Sequence, residues 1–195
     1  MTLSKAFPLL TPSAREDDAS LAKLLERAEP SAVAQVYDEH HGAVRAFARR
    51  LLGDPAAAED LVHDVFLALP RTARNYRGTS SLRTFLIGIA VNHARHHLRS
   101  AARRRAASDK LGLEPRGSVV TPEQSAQGAQ LARALLNALD SLSVDHRVTF
   151  VLCEVEERTS REVAEITQVP EATVRTRLHH AKKKLRVILE REGIR

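Results

Sequence analysis

The chain has 195 residues, of which 43% are hydrophobic and 4% aromatic, with no tryptophan and a net charge of +6. Strong helix formers recur while runs of β-branched or aromatic residues are scarce, so the composition predicts an all-α protein. The positive charge suits a polyanionic partner, the single cysteine excludes an internal disulfide framework, and the lack of a signal-peptide or membrane-length apolar segment predicts a soluble, cytoplasmic protein.

Helical spacing of apolar residues, and the residues that interrupt it, define the first elements. Residues 1–18 contain proline, serine and charge without periodicity, which predicts a flexible leader. Helices are predicted on either side of Pro30, and Gly53 is expected to end the second of them. Asp54 and Pro55 then have the pattern of an N-cap and a first helical residue, so another helix is predicted to begin there.

A basic helix follows a polar loop. Residues 71–81 are mostly polar and contain a glycine, which predicts a loop. From Leu82 to about Arg105 apolar residues recur at helical spacing, and the second half of this helix turns strongly basic.

The chain divides into two helical modules. Glycine, proline and loss of periodicity predict a flexible linker at residues 106–126, between a first module at 19–105 and a second at 127–195. Within the linker, residues 121–124 read Thr-Pro-Glu-Gln, the pattern of a capping box that opens the second module.

The second module contains a helix-turn-helix pattern. Residues 159–162, Thr-Ser-Arg-Glu, predict a capping box and a short helix, and Gln-Val-Pro at 168–170 predicts a turn before a long helix. A solvated amphipathic helix would explain the charge alone, but turn, core spacing and one-sided charge together favour DNA binding. The candidate DNA-contacting residues are Arg161, Thr173, Arg175, Thr176, Arg177, His179, His180, Lys182 and Lys183.

Residues 161–186 resemble the promoter-binding helix-turn-helix of sigma factor domain four, which reads the minus-35 element. That family usually has glycine where this chain has Gln168, and often glycine where it has Ala172. If residue 168 adopts a positive φ, glutamine costs roughly 1 kcal/mol there. His180 replaces a frequent arginine, which gives Arg175 more weight as a base or phosphate contact.

Residues 58–67, Ala-Glu-Asp-Leu-Val-His-Asp-Val-Phe-Leu, resemble the sigma region 2 helix that docks on the clamp helices of the polymerase β′ subunit. Leu61 and Val65 are expected to form an apolar ridge beside two carboxylates, which suits a basic partner surface. The alternative is an amphipathic core helix with a solvated acidic edge. The candidate polymerase-binding residues are Asp60, Leu61, His63, Asp64, Phe66 and Leu67.

Residues 76–99 resemble the loop and helix with which the same family melts and reads the minus-ten element. Phe85 stands where tryptophan is commonest, Asn92 matches a base-contacting asparagine, and residues 77–81 match the segment that holds a flipped base. Unstacked bases expose hydrogen-bonding edges, and the single strand needs cationic support. The candidate minus-ten residues are Arg77, Thr79, Ser80, Ser81, Asn92, Arg95, His96 and Arg99, with further charge at Arg103, Arg104 and Arg105.

Both patterns occur in the right order, so the chain resembles the extracytoplasmic-function (ECF) RNA polymerase sigma factors. The resemblance implies core RNA polymerase (β′ clamp helices and β flap), promoter DNA and an anti-sigma factor as partners. The alternatives are a helix-turn-helix regulator that binds duplex DNA without polymerase, and an enzyme, for which no catalytic cluster is found. No cofactor is expected, nor a metal, because the helically spaced His93, His96 and His97 have no carboxylate or cysteine nearby in sequence.

Overall fold

The computed structural model describes residues 12–110 and 134–191, and within these ranges the chain forms helices and no strand. The predicted all-α fold class is confirmed. None of the described helices is long and apolar enough to cross a membrane. The helices are α1 (Pro12–Glu26), α2 (Pro30–Leu52), α3 (Pro55–Thr72), α4 (Leu82–Lys110), α5 (134–140), α6 (Val144–Phe150), α7 (Ser160–Thr167) and α8 (Glu171–Arg191).

The helix boundaries of the first module follow from local sequence. Gly53 ends α2 in the left-handed conformation, with φ 74°, and its N–H donates to the Arg49 carbonyl at 2.9 Å. The Asp54 side chain accepts from the Ala56 N–H at 3.0 Å and so caps α3, with Pro55 as its first residue. These two predictions are confirmed.

The structure differs from the predicted boundaries at both ends of the first module. Helix α1 begins at Pro12, inside the predicted leader, and is anchored by the fully buried Leu25. Helix α4 continues to Lys110, past its predicted end at Arg105. The rest of the predicted linker, together with the predicted capping box at residues 121–124, lies outside the described residues.

The core of the first module lies between α2, α3 and α4. Phe47, Leu61 and Leu86, one from each helix, are fully buried in it. Burying each such side chain contributes about 1.5–3 kcal/mol, so these helices are held together mainly by apolar packing. A short 3₁₀ turn at Ala73–Asn75 and the loop over 76–81 connect α3 to α4.

The second module packs against the first. A π-helical turn at Val151–Val155 continues α6, and its buried Leu152, with Ile166 of α7, joins the apolar core of the first module. At this boundary Arg147 of α6 is only 2% exposed. Its guanidinium donates to the carbonyl oxygens of Leu51 at 2.7 Å and Leu52 at 3.2 Å, which lie at the C-terminus of α2. A cation there satisfies terminal carbonyls and interacts favourably with the helix dipole.

Candidate nucleic-acid interface

The helix-turn-helix begins with the predicted capping box. The Thr159 hydroxyl accepts from the Glu162 N–H at 3.3 Å, and the Glu162 carboxylate accepts from the Thr159 N–H at 2.9 Å. Burial raises the pKa of Glu162, but hydrogen bonds from Thr159 and Arg158 lower it by more, so this pKa lies below its ordinary value. The start of α7 is therefore fixed by a charged, hydrogen-bonded side chain.

Gln168 provides the turn between α7 and α8. It adopts the left-handed conformation, with φ 57° and ψ 42°, where the family pattern has glycine. Its side-chain amide donates to the Glu165 carbonyl at 2.6 Å, which offsets part of the backbone strain. The chain then passes Pro170 and enters α8 at Glu171.

The recognition helix α8 has one buried and one cationic face. Val174, Ala181 and Leu185 are buried. Thr173 and Arg177 are half-buried, and Arg161 on α7 is 84% exposed at its side chain. The exposed candidates on α8 are Arg175, Thr176, His179, His180, Lys182 and Lys183.

Two exposed cations of the recognition helix are paired with nearby carboxylates. Arg175 lies 2.5 Å from Glu171, one turn earlier on the same helix. Lys182 lies 2.8 Å from Glu154 of the π-helical turn. Both pairs are substantially exposed, so each contributes little to stability and its cation can exchange its carboxylate for a phosphate.

The carboxylate of Asp145 binds both Arg177 of α8 and Arg95 of α4, which is a DNA-binding candidate of the first module. The guanidinium of Arg177 donates to Oδ2 of Asp145 at 2.9 Å, while the guanidinium of Arg95 lies 3.3 Å from Oδ1. Asp145 is the first acidic residue of α6 and was not expected from the sequence, because nothing local marks it as a partner of two distant arginines.

The minus-ten candidates on α4 form a stripe along its exposed side. Asn92, His96 and Arg99 are exposed and lie three or four residues apart, so they share one face. The exposed Arg103 continues this stripe. The Asn92 carbonyl accepts from Arg95 at 3.3 Å, which orients its amide group.

In the candidate loop before α4, some polar side chains are exposed and others are half-buried or hydrogen-bonded. Arg77 and Thr79 are exposed, whereas Ser80 and Ser81 are half-buried. The Ser81 hydroxyl accepts from the Thr84 N–H at 3.1 Å, so this side chain caps α4. The loop is thus open at its centre and fixed at its end.

The prediction of an apolar ridge on α3 was wrong. Leu61 and Val65 are fully buried, because their face of α3 packs into the core against α2 and α4. On α3 the exposed large apolar residue is Leu67, which is 59% exposed. It borders a groove that includes Tyr37 of α2 and the largely buried Phe66, whose rings meet edge to face at 4.8 Å.

Tyr37 was not predicted from the sequence as part of this groove, because in the sequence it is one more apolar position of α2.

Beside the groove, Asp60 and His63 are exposed. Oδ2 of the half-buried Asp64 lies 3.0 Å from Nε2 of His97 and 3.9 Å from Nδ1 of His93. Even so, within the described part of the chain no group of three or more potential ligands could hold a metal ion.

Comparison with known proteins matches two separate parts of the chain. Residues 36–104 match the family model for Sigma-70 region 2, and residues 132–185 match that for Sigma-70 region 4. The ECF RNA polymerase sigma factor SigL of Mycobacterium tuberculosis is 32% identical over 174 residues, covering 86% of this chain and 94% of SigL. The RNA polymerase sigma-H factor of Pseudomonas aeruginosa is 25% identical over 176 residues, covering 86% and 91%.

A solved structure agrees with these matches. The sigma factor RpoE from Bartonella quintana, solved with the anti-sigma factor NepR, aligns with a TM-score of 0.61 at 25% identity, covering 80% of this chain and 96% of RpoE. Both halves of the sequence, their order and the fold thus point to one group of proteins. The chain belongs to the ECF sigma factors of RNA polymerase, with sigma-70 region 2 in its first module and region 4 in its second.

Proposed function

We propose that this sigma factor binds core RNA polymerase in the cytoplasm and brings it to selected promoters, where the polymerase performs the chemistry. The first module would open and read the minus-ten element, and the second would read the minus-35 element. The observation that carries the proposal is the presence, in one chain and in order, of region 2 and region 4, each with an exposed polar and cationic helix face.

The minus-ten assignment rests on the loop over residues 77–81 and the exposed stripe of α4. The open centre of the loop, at Arg77 and Thr79, would receive a flipped base of the non-template strand. Asn92 would contact a base edge, since its amide offers both a donor and an acceptor. His96 and Arg99 would support the strand through stacking and charge.

The minus-35 assignment rests on the exposed face of α8. Side chains near the start of a recognition helix reach base edges in the major groove, which favours Arg175 and Thr176 as the reading residues. Lys182 and Lys183, two turns later, would contact phosphates, and Arg161 would reach the backbone from α7.

Core polymerase would dock on α3 and the groove beside it. Leu67 supplies exposed apolar area next to Tyr37, and Asp60, His63 and Asp64 provide a polar, acidic rim. An apolar centre with a charged rim is the usual composition of a protein interface. The β flap of polymerase would contact the second module.

We also infer that a separate anti-sigma protein holds the factor inactive. The RpoE structure contains the anti-sigma factor NepR. RpoE aligns with both modules of this chain, which supports a similar partner here.

Transcription with purified core polymerase and a library of promoter templates tests this function. The proposal predicts saturable binding of the chain to core, followed by template-selective initiation. The opposite pattern, tight binding to duplex DNA alone without binding to core, would identify a conventional helix-turn-helix regulator instead.

A further inference from the structure

Asp18 of α1 contacts the loop and helix assigned to the minus-ten element. Its carboxylate oxygen Oδ2 accepts from the Leu82 N–H at 3.0 Å and lies 3.3 Å from the Tyr76 hydroxyl. Helix α1 is held in place by Ala22 and Leu25, which are buried. A residue from the predicted leader therefore reaches the first residue of α4, 64 positions later.

The contact with Leu82 contributes to the N-terminal cap of α4. The first N–H groups of a helix have no partner within the helix, so each needs another acceptor. The Ser81 hydroxyl accepts from the Thr84 N–H, and the Asp18 carboxylate accepts from the Leu82 N–H. A carboxylate at this end also interacts favourably with the helix dipole.

Tyr76 fixes the other end of the loop, mainly through the carbonyl of Ser80. The Tyr76 hydroxyl donates to the Ser80 carbonyl at 2.7 Å, and its ring packs edge to face on Phe85 at 5.3 Å. A phenol has one proton, so the shorter bond to Ser80 takes most of it and the longer contact with Asp18 is secondary. Asp18 thus binds one end of the loop that presents Arg77 and Thr79, and lies against the tyrosine that holds the other end.

We propose that Asp18 is a positioning residue for the minus-ten loop. Asp18 does not contact DNA. It holds the loop over residues 77–81 in the shape that accepts an unstacked base, so the loop is already ordered before the promoter opens. The proposal rests on the assignment of this loop to the minus-ten element. Asp18 acts on promoter opening and not on polymerase docking, because the proposed docking surface is a different one.

The test measures promoter opening by holoenzyme on a selected promoter carrying 2-aminopurine at each minus-ten position of the non-template strand. Unstacking of the flipped base raises its fluorescence. Asp18→Ala should reduce the equilibrium yield of unstacked base about tenfold, the usual effect of removing a hydrogen bond to a charged group. Asp18→Asn should recover most of it, because the amide oxygen still accepts from the Leu82 N–H.

Two controls separate positioning from general damage. Glu26→Gln removes an exposed carboxylate from the same helix and should leave opening unchanged. Binding of each variant to core polymerase should match wild type. If Asp18→Ala weakens core binding and opening in parallel, or if Asp18→Asn rescues nothing, Asp18 is merely structural and the proposal is overturned.

Asn92→Ala and Arg77→Ala distinguish failure of this proposal from failure of the assigned function. If they reduce opening while Asp18→Ala does not, the minus-ten assignment stands and the role of Asp18 is refuted. If none of the three changes opening, the loop and α4 do not read the minus-ten element.

Discussion

Arg95 of α4 and Asp145 of α6 form an ion pair across the module boundary, with Nη2 3.3 Å from Oδ1. The other oxygen of Asp145 binds Arg177 of the recognition helix. The two promoter elements lie about two helical turns apart, roughly 70 Å of DNA. Both arginines are candidates for promoter contact, so on the proposed function these ion pairs break when the two modules occupy elements that far apart.

Replacing Asp145 should release the two arginines. We expect Asp145→Ala to raise the affinity of the free chain for minus-35 duplex DNA a few-fold, since partly exposed ion pairs are worth about 1 kcal/mol or less. Fluorescence anisotropy at low salt measures this affinity. Glu26→Ala, which changes the net charge equally from an exposed site on α1, is the matched control; equal affinities of the two variants would contradict the expected release.

Leu67 and Leu61 should respond differently to the same substitution. Leu67→Ala removes exposed apolar area from the proposed polymerase surface, so core binding should weaken about tenfold with unchanged stability. Leu61→Ala empties a fully buried site, so the free energy of unfolding should fall by about 2–5 kcal/mol.

Leu24→Ala on α1, which removes a side chain of comparable exposure away from the groove, should preserve core binding. Core affinity measured by titration of labelled variants, alongside urea denaturation, checks both expectations. Unchanged affinity of Leu67→Ala would exclude this groove as the docking surface.

Arg147 should be needed for the stability of the packed modules. It is buried, it donates to the carbonyls of Leu51 and Leu52, and its guanidinium is hydrogen-bonded to Asp140. Arg147→Ala should therefore lower the free energy of unfolding by about 2–4 kcal/mol, because carbonyls and a carboxylate lose their donor.

The exposed Arg186 on α8 offers a comparison for this loss. Arg186→Ala should shift the urea midpoint little, as expected for a surface substitution. Equal midpoints for the two alanine variants would mean that Arg147 does not stabilise the boundary between the modules.

Gln168 should be a site where glycine stabilises the protein. Its φ of 57° strains any residue with a β-carbon by roughly 1 kcal/mol, and the exposed bond to the Glu165 carbonyl offsets about half of that, so Gln168→Gly should raise the free energy of unfolding by about 0.5 kcal/mol. Gln168→Ala keeps the strain and loses that bond, so it should be less stable than wild type. Thermal unfolding distinguishes the two, and a destabilised glycine variant would contradict this account.

The elements that were predicted correctly depend on neighbours in sequence. Gly53, Asp54 and the capping box of Thr159 and Glu162 act within a few residues of themselves, so residue type and spacing were sufficient. The conformational free-energy cost at Gln168 was likewise predicted from the sequence, because the replacement of glycine is a local feature.

What was missed depends on packing between distant segments. Leu61 and Leu67 both lie on one amphipathic helix, and only its neighbours decide which of them is buried. Arg147 meets Leu51 across 96 positions, and Asp18 meets Leu82 across 64. No residue pattern near any of these positions encodes such contacts.

Promoter preferences of variants show whether the two modules read two different promoter elements. Holoenzymes containing wild type, Asn92→Ala or Arg175→Ala would transcribe one randomised promoter library, and the transcripts would be sequenced. We expect Asn92→Ala to relax preference only at the minus-ten element and Arg175→Ala only at the minus-35 element. Variants that leave both preferences unchanged, or that each relax the other element, would contradict the account.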